Sequence, residues 1–263
     1  MNLNLFLAIA LGIAGAAPLG DDRVCQPHSR PWQVYLHGGG RLCSGALIDK
    51  WWLVTSFECA PTPYSTIASL GDHDITVEEG TEQHIRVAEV IRHSPYRSPF
   101  HSLTMVRLIE PARFTQYVQP IPLPSRCAQP GDTCYVSGWG STIPNQYELS
   151  PLLKCITVPV VDDRTCMNTF PEFLYWSMGM ICAGQANTDN CLNDHGSVMV
   201  CDGQLQGVQW FLHGCSDPAD PSVYTKLCLY NDWIKSVMGN YGPTPPMITA
   251  SHSKEDLKEH RTA

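Results

Sequence analysis

The sequence predicts an all-β fold, an antiparallel sandwich or barrel, with one helix at its end. Short apolar runs recur at regular spacing between turn signals along most of the chain, which is the pattern of such folds. With 263 residues, 43% of them hydrophobic and 16% charged, the chain can bury a sizeable core as one domain. Residues 231–238, with Trp233, Ile234 and Val237, carry the spacing of a closing helix.

The runs follow in order. Residues 33–36 form the first, and the turn His37-Gly38-Gly39-Gly40 separates it from residues 42–48. Residues 52–55, 85–91, 104–109, 133–136 and 156–161 continue the series. Residues 199–200 with 207–212, and then 222–227, complete it.

The two ends differ from this middle. Residues 1–16 contain the apolar stretch from Leu5 to Ile13 and end in Ala14-Gly15-Ala16, the small-x-small pattern of a secretory signal peptide, with no basic n-region beyond the amino terminus. No later stretch is long enough to span a bilayer. Residues 241–263 open with Pro243-Thr244-Pro245-Pro246 and continue as a polar tail expected to be disordered. A net charge of -8 offers no basic face for nucleic acid and would be repelled by anionic lipid, so neither partner is expected. The twelve cysteines of an exported chain suit an oxidised framework. A zinc site would need closer pairs than the shortest spacing present, Cys127 to Cys134.

Four segments carry a family likeness. They are Pro31-Trp32-Gln33-Val34, Ser137-Gly138-Trp139-Gly140, the stretch from Cys191 to Cys201 with Asp194-His195-Gly196, and Val223-Tyr224-Thr225. From Arg23 to about Met238 the chain resembles the trypsin-like serine proteases. The resemblance implies two six-stranded antiparallel β-barrels over residues 24–240, joined near residues 111–125, with the site in the cleft between them. It also implies six disulfides: Cys25 with Cys155, Cys43 with Cys59, Cys127 with Cys228, Cys134 with Cys201, Cys166 with Cys182, and Cys191 with Cys215.

The chemistry of that family needs a hydroxyl nucleophile, an imidazole base and a carboxylate that orients it. The positions that match its motifs hold Glu58 for the base, in Thr55-Ser56-Phe57-Glu58-Cys59, and Ser102 for the carboxylate. His195 stands where the nucleophile belongs. Ser197, two residues on, is the nearest hydroxyl. Glu58 and His195, near Ser102 and His101, form either a structural ion pair or an acid–base or metal-binding pair. Asn193 and Ser197 disturb the backbone that would cradle an oxyanion. Asp189 matches the carboxylate that selects Lys or Arg, but Leu212 and Ser222 replace residues of the pocket walls, leaving Asp189 a relic.

The activation machinery is also altered. Residues 17–23 resemble a remnant of an activation peptide, but no Ile-Val-Gly-Gly follows Arg23. In the family the new terminus would pair with the residue at Asp194. An ion pair from Arg41 to Asp194 is expected to hold the zymogen arrangement instead. The loop from Leu70 to Glu82 resembles the family's calcium loop, with Asp72 and Glu82 as side-chain ligands, Asp74 and Val77 as carbonyl ligands, and Glu79 direct or through water. Its other reading is an acidic, solvated turn. The function expected is that of a secreted, monomeric, catalytically silent homologue that binds another extracellular protein. The alternatives are an active trypsin-type endopeptidase and a metal hydrolase built on Glu58 and His195.

Overall fold

The computed structural model describes residues 23–38, 42–59, 61–93, 102–143, 148–171, 179–184, 192, 194–211 and 220–241. The expected signal peptide, most of the activation remnant, the tail beyond Tyr241, and Arg41, His101, Asp189, Asn193, Leu212 and the Cys191–Cys215 bridge lie outside these residues.

Two closed six-stranded antiparallel barrels make up the fold. The first is built from β1 (Gln33–His37), β2 (Cys43–Asp49), β3 (Trp52–Thr55), β4 (Ile67–Leu70), β5 (Gln83–Arg92) and β6 (Thr104–Leu108). The second uses β7 (Thr133–Gly138), β8 (Lys154–Val161), β9 (Met180–Ala183), β10 (Val198–Cys201), β11 (Gln204–Phe211) and β12 (Ser222–Lys226). Every run expected from spacing is a strand, with ends shifted by a few residues at most. The spacing does not predict two of the strands, β4 and β9. Ile-Ala-Ser-Leu and Met-Ile-Cys-Ala are four residues long and half small side chains, so neither reads as an apolar, β-forming run.

Helix α1 (Asp163–Thr169) was also unanticipated. Asp162 caps it, accepting from the Thr165 backbone N–H at 2.9 Å, and Cys166 on its buried side is bridged to Cys182 on β9. Helix α2 (Asn231–Asn240) is the expected closing helix, two residues longer than its apolar spacing indicates. Tyr241 packs its ring against Trp52 at 5.8 Å, so this residue belongs to the docked helix end.

Alternation along the strands fills each barrel with one face of each strand. Val34, Leu36, Leu47, Leu53, Leu70, Val87 and Leu108 pack the first interior. Val136, Ile156, Val158, Ile181, Met199 and Tyr224 pack the second. A third cluster joins the barrels to α2 through Val54, Leu103, Met105, Val198, Val208 and Ile234. Each fully buried aliphatic side chain here contributes about 1.5–3 kcal/mol relative to exposure. The connection across residues 111–125 carries no strand and is held along barrel one by Ala112 N–H on the Lys50 carbonyl and Ile121 N–H on the Leu47 carbonyl.

Among the described residues lie five of the six expected disulfides, Cys25–Cys155, Cys43–Cys59, Cys127–Cys228, Cys134–Cys201 and Cys166–Cys182. In the chain-entropy picture even the 16-residue separation of Cys43 and Cys59 restricts the unfolded chain by about 3 kcal/mol.

Candidate functional site

Glu58 sits on a single 3-10 turn, Phe57–Cys59, directly after β3. Cys59 in that turn is bonded to Cys43, the first residue of β2. The residue after Cys43, Ser44, donates its backbone N–H to the His195 carbonyl at 3.0 Å, and Cys59 Sγ lies 3.5 Å from the same oxygen. The backbones of the base and nucleophile positions are therefore tied to one junction between the barrels. Ser102 joins them there. Its hydroxyl donates to Glu58 Oε2 at 2.5 Å and accepts the Phe57 N–H at 3.0 Å, while its carbonyl accepts Thr225 Oγ1 from the second barrel at 2.7 Å.

This arrangement holds Glu58 through a hydroxyl, the reverse of the polarity a catalytic relay needs. A carboxylate at the third position would accept a hydrogen bond from an imidazole N–H; Ser102 instead donates a hydrogen bond to a carboxylate. The Ser102 hydroxyl is committed on both sides and the residue is buried. It has no surface on which to meet a substrate carbonyl.

The turn carrying His195 is fixed just as tightly. Ser197 N–H donates to the Asp194 carbonyl at 3.1 Å, Gly196 N–H to the Gln209 carbonyl at 2.9 Å, and Gln209 N–H to the Ser197 carbonyl at 2.9 Å. Gly196 has φ of 82°, and a Cβ placed there would stand 1.9 Å from the Ser44 carbonyl oxygen. Only glycine fits. His195 is half-buried. Ser197 is 0% exposed, with its hydroxyl turned toward Gly138, where a Cβ would meet both Ser197 Oγ and the Asp194 carboxylate. It is sealed under the turn, beside the Asp194 carboxylate.

Asp194 is buried. Its Oδ2 accepts the Ser44 hydroxyl at 2.5 Å and the Trp139 N–H at 2.8 Å. Burial raises its carboxyl to about 6, with the hydrogen bonds from Ser44, Trp139 and Gly140 working against that rise. Ser44 thus serves as a resident partner of Asp194, a role nothing in the sequence signalled across 150 residues. Its carbonyl meanwhile accepts Thr55 Oγ1 at 2.7 Å. Beside it a second buried pair crosses the barrels, Ser137 Oγ donating to Gln33 Oε1 at 2.7 Å.

The chain around Arg23 is laid onto the second barrel. Val24 bridges Lys154, Cys155 N–H donates to the Arg23 carbonyl at 2.7 Å, and Cys25 N–H donates to the Leu153 carbonyl at 2.9 Å. The Arg23 guanidinium reaches the Thr142 carbonyl at 3.0 Å. Ser222, from the expected pocket wall, is buried in β12 opposite Ala183.

In the loop from Leu70 to Glu82, Glu79 Oε2 accepts the His73 and Asp74 N–H groups at 2.8 and 3.1 Å, and Glu82 accepts those of Glu79 and Thr81 at 2.5 and 2.8 Å. The Asp74 carbonyl accepts the Val77 N–H at 3.3 Å. Among the described residues no three His, Cys, Asp or Glu side chains converge as a ready metal cage. Asp72 lies half-buried in the same loop. Burial raises its carboxyl to about 7, His84 opposes the rise, and Glu82, Glu78 and Glu79 add to it. Calcium binding by this loop would require Glu79 and Glu82 to exchange those amide partners for the ion.

A family model described as Trypsin matches residues 20–234. The chain is 36% identical over 248 residues to Trypsin-1 of Salmo salar, covering 91% of this chain and 100% of that one. It is 37% identical over 248 residues to Serine protease 1 of Rattus norvegicus, covering 90% and 99%. Among solved structures, neuropsin, a serine protease expressed in the limbic system of mouse brain, matches with a TM-score of 0.73 at 35% identity, over 82% of this chain and 98% of that one.

Proposed function

Because the chain belongs to the trypsin family yet has Glu58, Ser102 and His195 where that family's chemistry needs imidazole, carboxylate and hydroxyl, we propose that it is a catalytically silent homologue acting by protein binding. The observation that carries this reading is the fate of the hydroxyls at the junction. Ser197 is sealed at 0% exposure and Ser102 is buried between Glu58 and the Phe57 N–H. Neither can attack a carbonyl, and His195 supplies none.

The proposal extends to activation. Val24 and Cys25 are bonded to β8 and the residue before it, and Asp194 already holds Ser44 and Trp139 donors. Both features support a fold that stays zymogen-like whether or not the bond after Arg23 is cut. The ion pair from Arg41 to Asp194 is proposed as a further part of that lock. Calcium is proposed as a structural ion of the loop, held by Asp72 and Glu82 side chains, the Asp74 and Val77 carbonyls, and Glu79. The signal-like residues 1–16 and the disulfide framework support a secreted protein, and the retained scaffold supports a partner that reads its surface.

The decisive experiment exposes the purified protein to an organophosphonate probe and to Lys and Arg amide substrates from pH 5 to 9. No covalent capture and no cleavage above background are expected, since loss of triad members costs about 10⁴–10⁶ in turnover. Stoichiometric labelling at Ser197 would refute the proposal and restore the reading of an active endopeptidase. Hydrolysis that depends on a stoichiometric transition metal and is lost in Glu58→Gln would instead favour a metal hydrolase.

A further inference from the structure

Barrel one carries a polar row on its outer face, remote in role from the junction. β1, β4 and β5 are antiparallel neighbours, with Ser69 opposite both Tyr35 on β1 and His84 on β5. His37 is two residues beyond Tyr35, on the same face of β1, and the two rings stack at 5.1 Å. His37 Nε2 lies 2.9 Å and His84 Nδ1 2.7 Å from the one Ser69 hydroxyl oxygen. On its other side, His84 Nε2 meets Glu78 Oε1 at 3.2 Å.

The order Ser69, His84, Glu78 matches that of a hydrolytic relay, but Ser69 is 1% exposed and is flanked by both imidazoles. It has no room to attack. Proton counting gives the row a different meaning. With neutral rings, the bond to Glu78 needs the His84 hydrogen on Nε2, which leaves Nδ1 a bare lone pair taking the Ser69 hydrogen. Ser69 then accepts from His37. One ring nitrogen bears a lone pair, and a tautomer change at His37 aims a second at the same point. The Glu78 carboxylate behind His84 is the outer partner that metal-bound histidines characteristically have.

We propose that His37 Nε2 and His84 Nδ1 bind a divalent transition ion of the zinc type, with Ser69 Oγ or water completing the coordination and Glu78 orienting His84. Tetrahedral bonds of about 2.0–2.1 Å place two ligand nitrogens roughly 3.3 Å apart. The rings already converge on one atom, and the His84 side chain is 42% exposed, so a small swing of the rings suffices. Strand pairing on both sides of Ser69 holds the three residues in register. Imidazole donors separate this site from the neighbouring carboxylate loop, which suits a harder ion.

The test titrates zinc chloride into the full chain saturated with calcium, using calorimetry for affinity and imidazole NMR for the ligands. Saturable binding near one equivalent is expected, with shifts confined to His37 and His84. His37→Gln and His84→Gln, on different strands, should each weaken it at least tenfold, and Glu78→Gln by about tenfold. Melting of each variant in calcium verifies the fold, and either imidazole variant suffices if the other is unstable. Zinc affinity unchanged in His37→Gln, or no saturable binding below about 1 mM, overturns the proposal. So does zinc that calcium displaces and Glu82→Ala abolishes, since that ion would occupy the carboxylate loop.

Discussion

Replacing Ser44 with alanine tests the lock on Asp194 directly. The substitution removes a hydroxyl that donates to a buried carboxylate at 2.5 Å while leaving the Trp139 donor in place. A hydrogen bond to a charged group contributes about 1.5–3 kcal/mol, and a neutral one about 0.5–1.5 kcal/mol. Which value applies depends on pH. Asp194 has a folded pKa of about 6, above the roughly 3.9 of an unfolded aspartate. Between those values the folded chain retains a proton that the unfolded chain has released, so its contribution to stability falls as pH rises through the window and levels off above about 7. Ser44→Ala raises the folded pKa further and extends the window upward. The variant should therefore lose about 2 kcal/mol at pH 7.5 and about half that at pH 4.5. For a domain of this size 1 kcal/mol shifts Tm by about 2–4 °C, giving a drop of about 4–8 °C at pH 7.5 and about 2–4 °C at pH 4.5. Scanning calorimetry with the disulfides intact measures both. Equal drops at the two pH values would show that the hydroxyl does not stabilise the ionised carboxylate, and the account of Asp194 would fail.

Calcium in place of chelator should raise Tm, because an ion bound only by the folded state stabilises it by mass action; Glu82→Ala should remove most of that difference, and identical curves for the parent protein would eliminate the site. Gly196→Ala should cost more than about 4 kcal/mol, since its Cβ would collide with the Ser44 backbone at a φ that alanine resists; near-parent unfolding in denaturant would contradict the close approach of barrel one to that turn. The triple variant Glu58→His, Ser102→Asp, His195→Ser should remain inactive on Lys or Arg esters even after cleavage at Arg23. Strong activity without a grafted Ile-Val-Gly-Gly segment after Arg23 would show that those three positions alone silence the protein, and that no activation lock exists.

Much of this was legible along the chain. Short apolar runs set between turn signals mark ten of the twelve strands, because a segment that lines a closed barrel must supply apolar side chains and the chain must reverse at each end. β4 and β9 do not stand out because each is only four residues long and half of it is small side chains, Ala and Ser in one and Cys and Ala in the other, with little β preference of their own. The family motifs single out Glu58, Ser102 and His195 from the sequence alone, and the proposal of a silent site starts from their residue types: an imidazole stands where the motif has a hydroxyl. What those side chains do was decided by tertiary structure. Ser102 binding Glu58, Ser44 binding Asp194, and Ser69 joining His37 to His84 depend on groups 44, 150, 32 and 15 residues apart. Hydrogen bonds act over about 3 Å, and only closing the two barrels and setting their strand registers brings such partners within that distance.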